Sequence, residues 1–106
     1  DRASGFLEFE KTRVRWFLGI NADLLPENIN KKGLRTYRSI QMDGEEIEFS
    51  QGFTDLHTIS YQEILAGRGY GIEDARHCVE TVSYIQKGQT VAPQNGRAHP
   101  FFRELV

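Results

Sequence analysis

The sequence predicts an α+β domain, with a mostly antiparallel open sheet and helices packed on one face of it. Three observations lead there. Residues 5–20 are dense in aromatic and β-branched side chains and alternate in polarity, which is strand patterning. Asp43-Gly44 sits between two alternating runs, and Asp-Gly supplies the positive φ that a two-residue hairpin turn requires. Helical periodicity then appears over 54–65 and again over 72–86, so strands precede helices instead of alternating with them.

In GFLEFEKTRVRWFLGI, residues 5–20, the alternation from Thr12 places Val14, Trp16, Leu18 and Ile20 on one face and Arg13, Arg15 and Phe17 on the other. One apolar and one polar face is the pattern of a half-buried antiparallel strand. The segment reads as one long bent strand or as two, with a break around Glu10-Lys11-Thr12. Residues 21–33, NADLLPENINKKG, carry Asn, Asp, Pro and Gly and read as a loop with a short helical turn, pinned by Leu24 and Leu25. RTYRSIQM at 35–42 alternates again: Thr36, Arg38, Ile40 and Met42 share one face, and Arg35, Tyr37, Ser39 and Gln41 the other. Glu45 to Phe49 returns as the second strand of the hairpin.

The first long helix starts at Thr54 or Asp55, whose side chains are suited to accept hydrogen bonds from first-turn amides, with Phe53 stapling back onto the next turn. Gly67 stops it. At 3.6 residues per turn Phe53, Leu56, Tyr61, Ile64 and Leu65 form a stripe that His57 and Ser60 share, which puts polar groups where packing favours apolar ones. The second helix carries Ile72, Ala75, Val79, Val82 and Ile85 on its stripe, and Glu73 and Asp74 suit its positive N-terminal end. The tail, residues 87–106, is largely irregular because of Pro93, Gly96 and Pro100, with Phe101, Phe102 and Leu105 available to dock.

A chain of 106 residues, 39% hydrophobic and 26% charged, has room for one globular domain, taken here as residues 1–106. A net charge of −2 gives no basic footprint for nucleic acid. Cys78 is the single cysteine and cannot form an internal disulfide. No apolar run approaches the roughly 18–20 residues needed to span a bilayer, so no membrane association and a cytoplasmic location are expected. Asp1-Arg2-Ala3-Ser4 lacks an initiator methionine and any leader pattern, and the chain reads as cut from within a longer protein.

Chemistry-bearing clusters are few. His57, His77 and His99 show no ligand spacing, so no metal site is expected. His77 sits among Asp74, Arg76 and Glu80 and reads as solvated, while His99, before a proline, reads as structural or incidental. Cys78 beside His77 cannot form a thiolate–imidazolium pair, because helix neighbours point about 100° apart, and packing is expected for it. Gly67-Arg68-Gly69-Tyr70-Gly71 follows a helix and lacks the dinucleotide or P-loop spacing, so it reads as a C-cap and turn. For His57 two readings stand open: a buried imidazole satisfied internally, or part of a helix N-terminus offering amides, imidazole and hydroxyls to an anion. Arg13, Arg15, Arg35 and Arg38 add cation capacity that surface salt bridges explain equally well.

RVRWFLGINADLLPE, followed by RTYRSIQMDGEEIEFSQGFTDLHTISYQEILAGRGYGIEDARHCVETVSYI, resembles the C-terminal part of bacterial sugar-nucleotide oxidoreductases of the glucose-fructose oxidoreductase, inositol dehydrogenase and rhizopine catabolism (Gfo/Idh/MocA) family. Within it the similarity runs to the UDP-N-acetylglucosaminuronate 3-dehydrogenases of lipopolysaccharide O-antigen biosynthesis. The resemblance covers roughly residues 5–86, with His99-Pro100-Phe101-Phe102 matching in the tail. It implies a two-domain parent enzyme whose N-terminal Rossmann domain, missing here, binds NAD, and a C-terminal domain that holds the substrate and mediates oligomerisation. The dinucleotide fingerprint and the catalytic lysine motif of the family are absent from this sequence, so no catalytic or cofactor-binding residue is assigned and the fragment alone is expected to be inactive. By position in the motif, Asp55, His57, Thr58 and Tyr61 are the expected sugar-nucleotide contacts, with Arg35 or Arg38, on the strand leading to the helix, for a carboxylate or pyrophosphate. A homo-oligomer pairing its open sheet faces, which carry Phe17, Tyr37 and the arginines, is the expected assembly, with a UDP-sugar uronate as substrate. The alternative is a stand-alone, non-catalytic binding or dimerisation module. A small hydrolase using His57 or Cys78 is disfavoured, because no base and orienting carboxylate are spaced to assist either.

Overall fold

A computed structural model describes residues 1–51, 54–92, 94 and 96–104. Strands come first and two long helices follow: β1 (Arg2–Glu8), β2 (Arg13–Gly19), a 3-10 turn (Ala22–Leu24), α1 (Glu27–Lys31), β3 (Ser39–Met42), β4 (Glu45–Glu48), α2 (Leu56–Leu65), α3 (Ile72–Lys87) and α4 (Pro100–Glu104). Each strand pair is antiparallel, so the α+β class holds, with the strands divided between two two-stranded sheets, β1-β2 and β3-β4. The chain forms two compact units, residues 1–49 with 91–106, and residues 50–90.

In the first unit the 5–20 segment resolves as two strands, broken where Glu10-Lys11-Thr12 interrupts the alternation, with Phe9 N donating to Thr12 O at 2.8 Å to close the turn. Gly5 faces Trp16 across the ribbon, and the indole lies over it, where a Cβ would come within 2.5 Å of Nε1. The predicted faces hold for Val14 and Trp16, which are half-buried, but Leu18 and Ile20 are exposed. Phe17, assigned to the polar face, is half-buried instead. The cause lies far along the chain: the rings of His99 and Phe101 sit 5.8 and 5.9 Å from that of Phe17. Arg97 also places its guanidinium 5.0 Å over the Phe6 ring, a cation–π contact. Phe101 thus docks as expected, and His99 is structural, its Nδ1 accepting the Phe101 amide at 3.2 Å. Phe102 is half-buried as well, while Leu105, the third residue offered for docking, lies outside the described residues, as do Phe53 and Pro93.

The loop after β2 contains the expected helical turn, and Ile29 of α1, at 5% exposure, is the buried hydrophobic residue among the described ones. Leu24 and Leu25 are half-buried, as a pinning role requires. The second hairpin turns at Asp43 (φ 52°) and Gly44 (φ 85°), two successive positive φ values that define a type I′ turn. Its register pairs Ile40 with Ile47 and Met42 with Glu45. The first strand begins at Ser39, not Arg35. Residues 35–38 precede that ladder, and Arg38 O accepts the Phe49 amide at 2.9 Å next to its first pair.

In the second unit α2 ends as predicted. Gly67 is left-handed (φ 76°), its amide donates to Ile64 O at 3.1 Å, and the Arg68 amide donates to Glu63 O at 2.8 Å. That pair of bonds is a Schellman motif. α3 starts at Gly71, whose amide donates to the Asp74 carboxylate at 2.7 Å. Neither α2 nor α3 contains a buried residue.

Candidate functional site

Four of the six residues singled out from sequence fall at the start of α2. His57 and Tyr61 are one turn apart and lie on the same face, with Thr58 beside them. Asp55 occupies the N-cap position on another side of the helix. All four are exposed, Tyr61 at 67%. The stripe expected to face a core is therefore open: Leu56, Ile64 and Leu65 are exposed too, Leu65 at 88%. Ile59, left out of that stripe, extends the apolar residues over about two thirds of the circumference at 3.6 residues per turn, so no single face of α2 is selected for burial. The buried-imidazole reading of His57 does not describe this structure.

The N-terminal cap also differs from expectation. Asp55 adopts the left-handed region (φ 59°, ψ 22°) and makes no side-chain capping bond, because a capping carboxylate reaches the second and third amides from an extended backbone. Thr54 does not cap either: its hydroxyl donates to Gln51 O at 3.0 Å, outside the helix. The carbonyl of Asp55 accepts the first helical bond, from Ile59 N at 3.0 Å. Left-handed backbone at a non-glycine residue is uncommon, and Asp is one of the few that tolerates it.

Arg35 and Arg38 belong to the first unit, in the irregular approach to β3 and not within a strand. Beside them the Tyr37 hydroxyl donates to Glu46 Oε1 across the hairpin. That acceptor carboxylate holds the phenol above its ordinary pKa, partly offset by a hydrogen bond with Ser39.

The remaining polar clusters serve as local ties. Arg68 Nε and Nη2 donate to Glu63 Oε2 and Oε1 at 2.7 and 2.9 Å. Arg76 makes the same fork onto Glu73 at 2.9 and 2.6 Å. Each arginine pulls its carboxylate below the usual range and is itself raised. His77 is solvent-exposed, 3.7 Å from Glu80. Cys78, expected to pack, is exposed, and α3 carries no buried residue on any side. No group of three metal-ligating side chains forms among the described residues. No described helix is long and apolar enough to cross a membrane. One surface concavity, at the β1-β2 turn, is lined by Glu8 to Arg13 and contains none of the six candidates.

The glycine-rich segment does not fit a dinucleotide. A pyrophosphate cradle leads from a strand into a helix, whereas Gly67 to Gly71 joins the end of α2 to the start of α3.

An α+β chain of this order matches a partial domain of a dehydrogenase. No protein-family profile matches it. Among solved structures, it is similar to the WlbA (WbpB) dehydrogenase from Thermus thermophilus. In complex with NAD and α-ketoglutarate, that protein is 45% identical over 94% of this chain, with a TM-score of 0.86. In complex with NAD and UDP-GlcNAcA it is 43% identical over the same share, with a TM-score of 0.85. The chain spans 32% of the length of either structure.

Proposed function

We propose that these residues are the C-terminal part of an NAD-dependent sugar-nucleotide dehydrogenase of the Gfo/Idh/MocA family, which oxidises the 3-hydroxyl of a UDP-N-acetylglucosaminuronate-type substrate in lipopolysaccharide O-antigen biosynthesis in the cytoplasm. The observation that carries this is the identity of more than two fifths, over nearly the whole chain, with a dehydrogenase held in complex with NAD and UDP-GlcNAcA. Residues 1–106 form one substrate-binding and oligomerisation domain, and the NAD cradle and the catalytic groups lie in the part of the enzyme that these residues do not represent.

Exposed apolar side chains support a part of a larger body: Leu56, Ile59, Ile64 and Leu65 of α2 and Val79 and Val82 of α3 stand open to solvent, and apolar surface of this kind is what a partner surface covers. Part of it is covered by the rest of the enzyme and part by a second copy, giving a homo-oligomer joined through the sheets. Asp55, His57, Thr58 and Tyr61 are the substrate contacts, with Arg35 or Arg38 meeting the carboxylate or pyrophosphate through charge-assisted bonds.

The test is NADH formation by the full-length protein with UDP-GlcNAcA. The His57→Asn variant is expected to lose on the order of tenfold in kcat/KM with unchanged thermal unfolding, the scale of one polar contact. Turnover by the wild type that His57→Asn leaves intact removes His57 from the site, and no turnover by the wild type refutes the proposed activity.

A further inference from the structure

No side chain of α2 is fully buried, and the contacts that hold it to the rest of its unit lie toward its ends. At the entrance the Thr54 hydroxyl donates to Gln51 O. At the exit the ties converge within a dozen residues. The Arg68 amide caps Glu63 O, the Arg68 guanidinium grips the Glu63 carboxylate by two bonds, and Gly71 N is held by Asp74. Gly69 passes so close to α2 that a Cβ there would meet Ile64 Cγ1 at 2.9 Å and Ile64 Cα at 3.3 Å.

The Schellman bonds alone suffice to end a helix. The guanidinium fork adds a second connection between the same two residues, and a planar two-bond contact fixes rotation as well as separation. Glu63 is accordingly the one residue of α2 that is half-buried; the other nine are exposed.

We propose that Arg68 is a positioning residue, which by tying the exit turn back onto α2 fixes the His57–Tyr61 face for the sugar nucleotide. This rests on the function proposed above. Arg68 acts through Glu63 and the turn, and touches neither substrate nor cofactor.

The test uses the full-length enzyme and the variants Arg68→Ala, Arg68→Lys and the exchanged pair Glu63→Arg/Arg68→Glu. Arg68→Ala is expected to raise KM for UDP-GlcNAcA on the order of fivefold while KM for NAD is unchanged, and to speed hydrogen exchange at the Gly67 and Arg68 amides. Arg68→Lys stays impaired because an ammonium cannot form the fork, and the exchanged pair recovers at least half of the loss. Faster exchange with both KM values unchanged overturns the positioning role, and unchanged exchange overturns the tie itself. A wild type that shows the exchange pattern but does not turn over UDP-GlcNAcA refutes the functional reading, and the positioning role falls with it.

Discussion

Adding one methyl group at Gly5 tests how the β1-β2 ribbon is packed. A Cβ there would stand 2.5 Å from Trp16 Nε1 and 2.6 Å from Cε2 and Cζ2, where carbon contacts settle at about 3.5–4.0 Å. The indole must retreat by about 1 Å or tilt off the ribbon. A packed tryptophan buries about 150–250 Å², so losing half of that contact at about 25 cal/mol per Å² costs about 2–3 kcal/mol. Direct overpacking penalties of about 1–3 kcal/mol fall in the same range. Gly5→Ala is therefore expected to lower the urea midpoint by that free energy with little change in slope, and to shift the Trp16 indole N–H resonance and emission, with Trp16→Phe assigning the signal. A Gly5→Ala protein with native stability and an unmoved indole resonance would refute the packing described here.

Other expectations follow from separate features. Gly44→Ala should cost about 1–2 kcal/mol in thermal or urea unfolding, through its φ of 85° alone, because no atom lies within 4 Å of the added Cβ. Ile29→Ala should cost about 2–4 kcal/mol, the range for a large-to-small change at a buried aliphatic site, measured by the same unfolding curves. The Tyr37 phenol, raised chiefly by its hydrogen bond to Glu46, gives a contribution to stability that is present below the ordinary tyrosine pKa and lost as pH rises through the raised one. Tyr37→Phe should flatten stability over that alkaline window, with phenolate absorbance locating the titration.

What could be read from sequence was local, and what could not was set at a distance. The Asp43-Gly44 hairpin and the Gly67 stop depend on backbone preferences of one or two residues, so both emerge from the letters alone. Alternation places Phe17 on a polar face because it counts only neighbours in the chain, while the rings of His99 and Phe101 from the tail pack against it. Asp55 reads as an ordinary cap, yet its left-handed backbone takes the carboxylate out of that role. A periodic stripe predicts burial only if something covers it, and α2 shows apolar residues with no cover within its unit. The candidate site was legible in the same sense. The motif places His57, Thr58 and Tyr61 along one side of a helix, whereas the surroundings of Arg35 and Arg38 depend on chain lying between elements, where no periodicity speaks.

The aromatic contact between Phe17 and His99 has a kinetic meaning as well. It joins positions about eighty residues apart, so its closure entropy is that of a long loop. β1 and β2, separated by a four-residue turn, can pair within microseconds once both are present. The tail cannot join them until His99 and Phe101 have left the ribosome. The first unit is thus made from segments on either side of the middle one, and the side of the ribbon that carries Phe17 lacks its His99 and Phe101 cover while the residues of the middle unit are being added.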